Sequence, residues 1–381
     1  MDIEGRVRIE LGWDGEAVRK VRVASNRVDI SQPLLGGRSA DEAETLLPRV
    51  FSICARAQGA AAAAALCAAR GIELCQVQHH QMAVVAETAV EYLWRFLIDL
   101  PGLFGLPQHH ELVGRLRREL SEVSPPPSPS LERREELGCG DGWLPFIGAL
   151  RRAASDECFG GDTGELADPE AFINWEAHSH ARLATLLRAI KRAALGSPDA
   201  ALLPSASEGL LREIGAALGA DSAFSRRPEH AGMPAECGAR SRLAGHPLLE
   251  AAKRQHENAA YQRVLARIVE LAGIPERLQR LIDGESDPGW VHGLALEPGR
   301  GIAAVETARG LLVHWANVED DRVAGYRIVA PTEWNFHPCG ALVKDLADAP
   351  AQSSEEAQQL AGVAIQSLDP CVRFELRLTR L

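Results

Sequence analysis

Gly59-Ala60-Ala61-Ala62-Ala63-Ala64-Ala65-Leu66-Cys67-Ala68-Ala69, followed by Arg70-Gly71, is the stretch on which the fold turns. Alanine is the strongest helix former, and Gly71 is placed to cap the C-terminus. A helix surfaced with methyl groups lets its neighbours come unusually close, so this segment is expected to be a buried central helix. The 77–100 segment follows, where Met82, Val85, Ala89, Leu93 and Phe96 recur at steps of three and four. That spacing predicts a second, amphipathic helix ended by Pro101-Gly102. Upstream, Gly36-Gly37 closes a loop and Asp41 is expected to cap a helix leading to Leu46 and Leu47.

Farther out, both ends of the chain read as strand. Val7, Ile9 and Leu11 alternate with Arg8 and Glu10, Asp14-Gly15 supplies a turn, and Val18, Val21 and Val23 follow, which predicts a hairpin with one wet face. Near the other end, strands are expected over 311–315 and 323–329, on either side of a Glu319-Asp320-Asp321 turn. Between the ends, a helix is expected over 169–195, with Asp168 as cap and Pro169 at its first position. A long helix should run from His246-Pro247 to Leu271, with a further turn or two before Gly284. Ser124-Pro125-Pro126-Pro127-Ser128-Pro129 cannot be helix or central strand, so 122–131 is expected to be an exposed Pro-rich loop. No internal repeat is visible. The expectation is one domain over 1–381, α+β but mainly α, with an N-terminal β hairpin, a helical body and a small C-terminal sheet.

Composition narrows the function classes. The 381 residues carry a formal charge of -11, which argues against wrapping nucleic acid or lying on an anionic membrane. Pairs such as Arg117-Arg118 and Arg226-Arg227 read as solvated faces. No apolar run looks long enough to span a bilayer, and Met1-Asp2-Ile3-Glu4 is not a signal peptide, so the expected compartment is the cytoplasm. The eight cysteines include no C-x-x-C pair and are expected to be reduced and mostly small buried side chains. A phosphate loop, a nucleophile elbow and H-E-x-x-H are all missing, since His110-Glu111 lacks a second histidine four residues after the first. His178 and His180, two apart on the expected helix, would diverge by roughly 200°. His79-His80 and His109-His110 are adjacent and share the difficulty.

Four segments, in order, resemble the nickel–iron hydrogenase large subunit. Glu4-Gly5-Arg6-Val7-Arg8-Ile9 is similar to the family's E-G-H-x-R-I opening, and Arg49-Val50-Phe51-Ser52-Ile53-Cys54-Ala55-Arg56-Ala57-Gln58 to R-[IV]-C-G-[IV]-C-x-x-x-H. Gly232-Met233-Pro234-Ala235-Glu236-Cys237-Gly238-Ala239, with Arg242, resembles G-x-P-x-E-x-G-P-x-x-R. Last come Glu306-Thr307-Ala308-Arg309-Gly310 with His314-Trp315, Pro331-Thr332-Glu333-Trp334-Asn335, and Asp369-Pro370-Cys371-Val372-Arg373-Phe374, similar to E-A-P-R-G, P-T-T-W-N and D-P-C-x-x-C. Each is weak alone; the ordered set is specific.

The resemblance implies a four-thiolate nickel site, two of whose sulfurs bridge to an iron bearing cyanide and carbon monoxide. Soft thiolates suit such metals. Here Phe51 and Phe374 stand at two of the four cysteine positions, leaving Cys54 at a bridging position and Cys371 at a terminal one, with Gln58 and Arg377 where the family has histidine. Hydrogenase activity and stable nickel are therefore not expected, and the two rings are expected to fill the vacated places. The sequence ends ten residues after Cys371, so no C-terminal processing is expected. The resemblance further implies that Arg309 and Thr332 cradle diatomic ligands, as a guanidinium and a hydroxyl or N–H can for a charged acceptor. With half its ligands lost, the chain looks like the accessory proteins of hydrogenase maturation. It is then expected to hold an iron–dicyano–carbonyl fragment transiently between Cys54 and Cys371, and to meet maturation factors and the large-subunit precursor. The alternative is a metal-free chaperone or large-subunit mimic that docks those factors. On the alternative reading Arg309 is a buried ion-pair partner, with Glu306 as the candidate. Cys237 and Cys339 read as core thiols, Cys339 also as a possible third donor. The two chain ends should meet in space, with Cys54 and Cys371 within thiolate-bridging reach and Arg309 and Thr332 lining the same cavity.

Overall fold

A computed structural model describes the chain except for residues 1–4, 28, 125–141, 162, 194, 197–199, 256–257, 286 and 288. The 125–131 part of the expected Pro-rich loop and Cys139 lie outside the described residues. The helix that precedes that loop is His110–Val123.

The alanine-rich segment is a helix, Ala55–Arg70, closed by Gly71 in the left-handed conformation. One side packs on a four-stranded antiparallel meander: β5 (Val291–Glu297), β6 (Arg300–Thr307), β7 (Gly310–Glu319) and β8 (Arg322–Val329). The other sides meet helices Ala40–Val50 and Val77–Trp94. By length and composition Ser52–Arg70 could cross a membrane, which corrects the expectation that no run is long enough, but most of it is buried inside the fold. Contact with the sheet is backbone to backbone: a Cβ on Gly301 would stand 2.3 Å from the Ala65 carbonyl oxygen and 2.3 Å from the Ala69 nitrogen. Helix Glu208–Ala220 covers the opposite face through Leu210 and Ile214. Covered on both faces, β6 and β7 are buried almost continuously and do not alternate.

The N-terminal hairpin is present as β1 (Arg6–Trp13) and β2 (Val18–Ser25), with Val7, Ile9 and Leu11 inward. Two residue-long strands, β3 (Ala201–Leu202) and β4 (Ala235–Glu236), pair in parallel. The last strand, β9 (Arg373–Arg380), was not anticipated, although Phe374, Leu376 and Leu378 alternate with charged residues. It pairs in parallel with β1 and so joins the two ends of the chain.

Several helix boundaries differ from expectation. Ser39 caps Ala40–Val50, by a reciprocal exchange with Glu42, and Asp41 only sits in the first turn. Val77–Trp94 is buried nearly all round rather than amphipathic. It continues through a π turn (Arg95–Asp99) into Leu100–Leu103, where Pro101 falls in a first turn that needs no N–H from it. The expected 169–195 helix is two, Pro169–His178 and Arg182–Lys191: Asp168 does cap the first, and Arg188 ends it by donating to the Ser179 carbonyl. The expected 246–271 helix is also two, Pro247–Gln255 and Ala259–Ile282, because the Asn258 side chain accepts the Tyr261 N–H and starts a new helix.

His314 on β7 pins the alanine helix to the sheet. Its ring lies between the Tyr326 hydroxyl of β8 (2.8 Å) and the Gln58 Oε1 of the helix (3.0 Å). Burial, with a smaller push from the positive charge of Arg27, lowers its pKa to about 3.

Two outcomes follow. Gly301→Ala forces a methyl into helix backbone and should cost roughly 2 kcal/mol or more of unfolding free energy, read from denaturant midpoints. The unfolded chain protonates His314 near pH 6.5 and the folded chain does not, so stability is lost as pH falls from there toward 3. Between pH 7 and 5 the native protein should lose about 2 kcal/mol more than His314→Gln; equal losses would mean the ring is not held neutral.

Candidate functional site: a two-cysteine cleft

The short turn Ser52–Cys54 joins helix Ala40–Val50 to the alanine helix, with Cys54 at the N-cap position. Glu87 accepts the Arg56 and Ala57 N–H groups at 3.1 and 3.0 Å, which holds this helix start in place. At the far end of the chain, the Ser354–Leu368 helix stops at Asp369 in a left-handed turn and delivers Cys371 just before β9. Between them the β6–β7 turn presents Arg309. Gly310 (φ +130°) packs so tightly on Cys237 that a Cβ would stand 2.3 Å from its sulfur. This fixes the Glu306–Gly310 motif against the Gly232–Gly238 motif.

These elements line a narrow cleft that opens to solvent, walled by Phe51, Cys54, Gln58, Arg309, Cys371 and Arg27 among others. Cys54 and Cys371 thus line one cavity, and each sulfur lies close enough to the Arg309 guanidinium for the two to interact once the sulfur is ionised. Burial pushes the Cys54 thiol up to about 12, with the charges of Glu87 and Cys371 adding to the effect and Arg309 and Gln58 opposing it. A thiol held this way stays protonated at neutral pH and is a poor nucleophile. Thr332 stands behind Cys371 rather than on the wall: its hydroxyl donates to the sulfur at 2.9 Å and accepts the Cys371 N–H at 3.0 Å.

Arg309 is anchored from below. Its Nη2 donates to Glu91 at 2.7 Å and its Nε to Asp369 at 3.1 Å. Burial alone would discharge the guanidinium, but Asp369 and then Glu91 outweigh it and keep it charged. Asp369 is also bound by Arg95; burial would raise its carboxyl, yet Arg309, Arg95 and Arg267 hold it below the ordinary carboxylate value. The expected Glu306 pairing does not occur, because Glu306 is taken by Arg242 at 2.7 Å. Arg27 is the second cation of the cleft. Its Nη1 lies 3.9 Å from the Cys371 sulfur and its guanidinium 5.5 Å over the Phe51 ring. Among the described residues it makes no ion pair within 4 Å, but its charge reaches Glu333, whose carboxyl is pushed up by burial and pulled down by Arg27.

Other expectations are corrected. Phe51 walls the cleft, but Phe374 does not: β9 is an edge strand, and the ring at its start is 38% exposed. Gln58 lies in the cleft, donating to the Cys54 sulfur at 3.7 Å, whereas Arg377 is on the surface with Glu375. Cys339 is exposed and off the cleft wall, and Cys237 is buried beneath Gly310. Of the seven described cysteines only Cys158 and Cys237 are fully buried, fewer than expected, since Cys54 and Cys371 face a cleft and Cys75 and Cys339 lie at the surface. None is in a disulfide. Among the described residues no group of three or more His, Cys, Asp or Glu side chains is arranged to hold a metal ion, so the cleft offers two sulfurs and not a complete ligand set. Sequence reasoning missed Arg27, which carries no motif, and Glu91. The latter had a signal: Glu87 and Glu91 stand one turn apart inside an otherwise apolar helix.

A family model described as nickel-dependent hydrogenase matches residues 257–373. The fold is shared with the nickel–iron–selenium hydrogenase of D. vulgaris Hildenborough, at a TM-score of 0.62 and 14% identity over 94% of each chain. In sequence, the chain is 32% identical over 371 residues to the hydrogenase expression/formation protein HoxV of Cupriavidus necator, covering 92% of this chain and 91% of the relative. It is 31% identical to the hydrogenase expression/formation protein HupK of Bradyrhizobium diazoefficiens over 99% of this chain and 97% of the relative. A full-length match of this kind, on a large-subunit fold with a two-cysteine cleft, places the chain in the HoxV/HupK family of hydrogenase expression/formation proteins.

Proposed function

We propose that this chain is a non-catalytic accessory protein of nickel–iron hydrogenase maturation, working in the cytoplasm, whose cleft holds an iron–dicyano–carbonyl fragment on its way to the large subunit. The observation that carries this reading is the meeting of Cys54 and Cys371, from opposite ends of the chain, on one cleft with two guanidiniums. The relatives' names as expression/formation proteins support the maturation role. Ferrous iron with two cyanides is neutral, so binding through two thiolates, which releases the thiol protons to solvent, would make the bound cargo dianionic. Arg309 is largely spent on Glu91 and Asp369, which leaves Arg27 as the cation best placed to answer that charge. The Thr332 hydroxyl orients the Cys371 sulfur. Cyanide nitrogens are strong acceptors, and the guanidinium edges facing the cleft supply donors of the right kind. The Phe51 ring takes up wall space that a further donor would need, which favours a two-sulfur cargo over a four-sulfur nickel site. Maturation factors and the large-subunit precursor are the proposed donor and acceptor.

Infrared spectroscopy on protein purified from a maturing cell tests this. Cyanide and carbon monoxide stretches should be present in the native chain and vanish in Cys54→Ala and Cys371→Ala. Clean absence of these bands, with maturation retained in the double cysteine variant, would leave a metal-free chaperone that docks the same factors.

A further inference from the structure

The outer edge of a sheet leaves backbone N–H and C=O groups without a ladder partner, and folds commonly close such edges. At β8 this one does: the Gly37 N–H donates to the Val323 carbonyl, the Val323 N–H to the Arg38 carbonyl, and the Gln32 side chain donates to Ala324 and accepts from the Tyr326 N–H. At β2, Val18 donates to the Ala349 carbonyl and accepts from the Asp348 N–H. β9 is left open. It pairs with β1 on one side, and among the described residues no hydrogen bond reaches the backbone of its other edge. None of its eight residues is buried, and it holds neither a proline nor a bulge. Phe374, Leu376 and Leu378 form an apolar row on one face, with Arg373, Glu375, Arg377 and Thr379 on the other. Charges on an edge can serve simply to deter pairing. A row that repels every copy of itself needs one sign, however, and here the signs alternate.

We propose that the open edge of β9 docks the β9 of a second copy of this chain, antiparallel, about a two-fold axis at Leu376. In that register Glu375 lies opposite Arg377 of the second copy and Arg377 opposite its Glu375, while Phe374 meets Leu378 on both sides of the axis and Leu376 meets itself. Arg373 falls opposite Thr379, so no like charges face each other. Centring the axis on Glu375 or on Arg377 would set like charges against each other, and a one-residue slip would put the apolar row against the charged one. One register is thereby singled out. In the single chain Arg377 reaches back along its own strand to Glu375 at 3.0 Å, the contact open to it when no second copy is there. The axis lies five residues beyond Cys371, which puts the two cysteine clefts roughly 30 Å apart, at opposite ends of the paired strands. Residues 373–379 make a far smaller contact than the about 20–30 residues a side of a standard interface, and a charge of -11 on each copy opposes approach. The dimer is therefore weak and reversible, with a dissociation constant on the order of 10 µM. It does not rest on the cargo reading.

Sedimentation velocity of the purified full chain, from roughly 1 to 100 µM, tests this. The native chain should pass from monomer to dimer across that range. Glu375→Arg and Arg377→Glu each set like charges across both pairs, and each variant should stay monomeric at the highest concentration. Mixed in equal amounts, the two variants restore opposite signs and should form a dimer again, as should the chain carrying both changes. Amide hydrogen exchange on the unaltered chain keeps the test open should a variant fail to fold: protection over 374–379 should rise with concentration. A native chain that is monomeric throughout, its edge then left to a strand of some other protein, would overturn the proposal. So would a dimer indifferent to either single change, a mixture that stays monomeric, or concentration-dependent protection confined to another element.

Discussion

The site depends on how closely the alanine helix lies on β6. Methyl side chains on one partner and a glycine on the other bring backbone against backbone, and Gly301 tolerates no Cβ there. From the Gly301 contact, both the helix and the strand run about 20 Å to the same end of the molecule, some thirteen residues at helical rise and six at strand rise. The helix arrives there as Cys54 and the strand as Thr307, with Arg309 in the turn beyond. Two segments some 250 residues apart in sequence are thus indexed to one another by geometry alone. His314, wedged between Tyr326 and Gln58, fixes the same register by hydrogen bonding.

The second constraint is charge. A guanidinium at the floor of a cleft must be compensated, and the fold does this twice, through Glu91 and Asp369. Asp369 in turn draws on Arg95. The network ties the π turn, helix Val77–Trp94 and the approach to Cys371 into one body. Removing a single partner from such a set leaves a buried charge exposed to no solvent, which is why networks of this kind resist drift even when replacing them whole would be nearly neutral. The cleft therefore has a rigid cationic floor at Arg309 and a more accessible cation, Arg27, on its rim.

Much of this could be read in the sequence where a local rule decides the outcome. Alanine content and Gly71 specify the central helix; alternation of Val7, Ile9 and Leu11 with charges specifies β1; the half-motifs around Cys54 and Cys371 bring the two thiols to one place. The sequence was less legible where a side chain makes a choice between near-equal local options. Asn258 starts a new helix inside a continuous helical pattern, and Ser39 rather than Asp41 takes the cap because Glu42 can answer it. Arg309 could be seen as important but not partnered correctly, since Glu91 lies 218 residues away and nothing local distinguishes it from Glu306. The place of Phe374 was misjudged for a similar reason: β9 as an edge strand of the first sheet is a tertiary fact, and only that pairing turns the ring outward.

The proposed role requires this cleft to present two sulfurs, and two only, to an iron cargo. Iron K-edge X-ray absorption on chain isolated from maturing cells counts those neighbours directly. The expected result is iron with two sulfur scatterers, further short iron–carbon paths and no stoichiometric nickel. Iron in a four-sulfur shell, or nickel bound in equal amount, would contradict it.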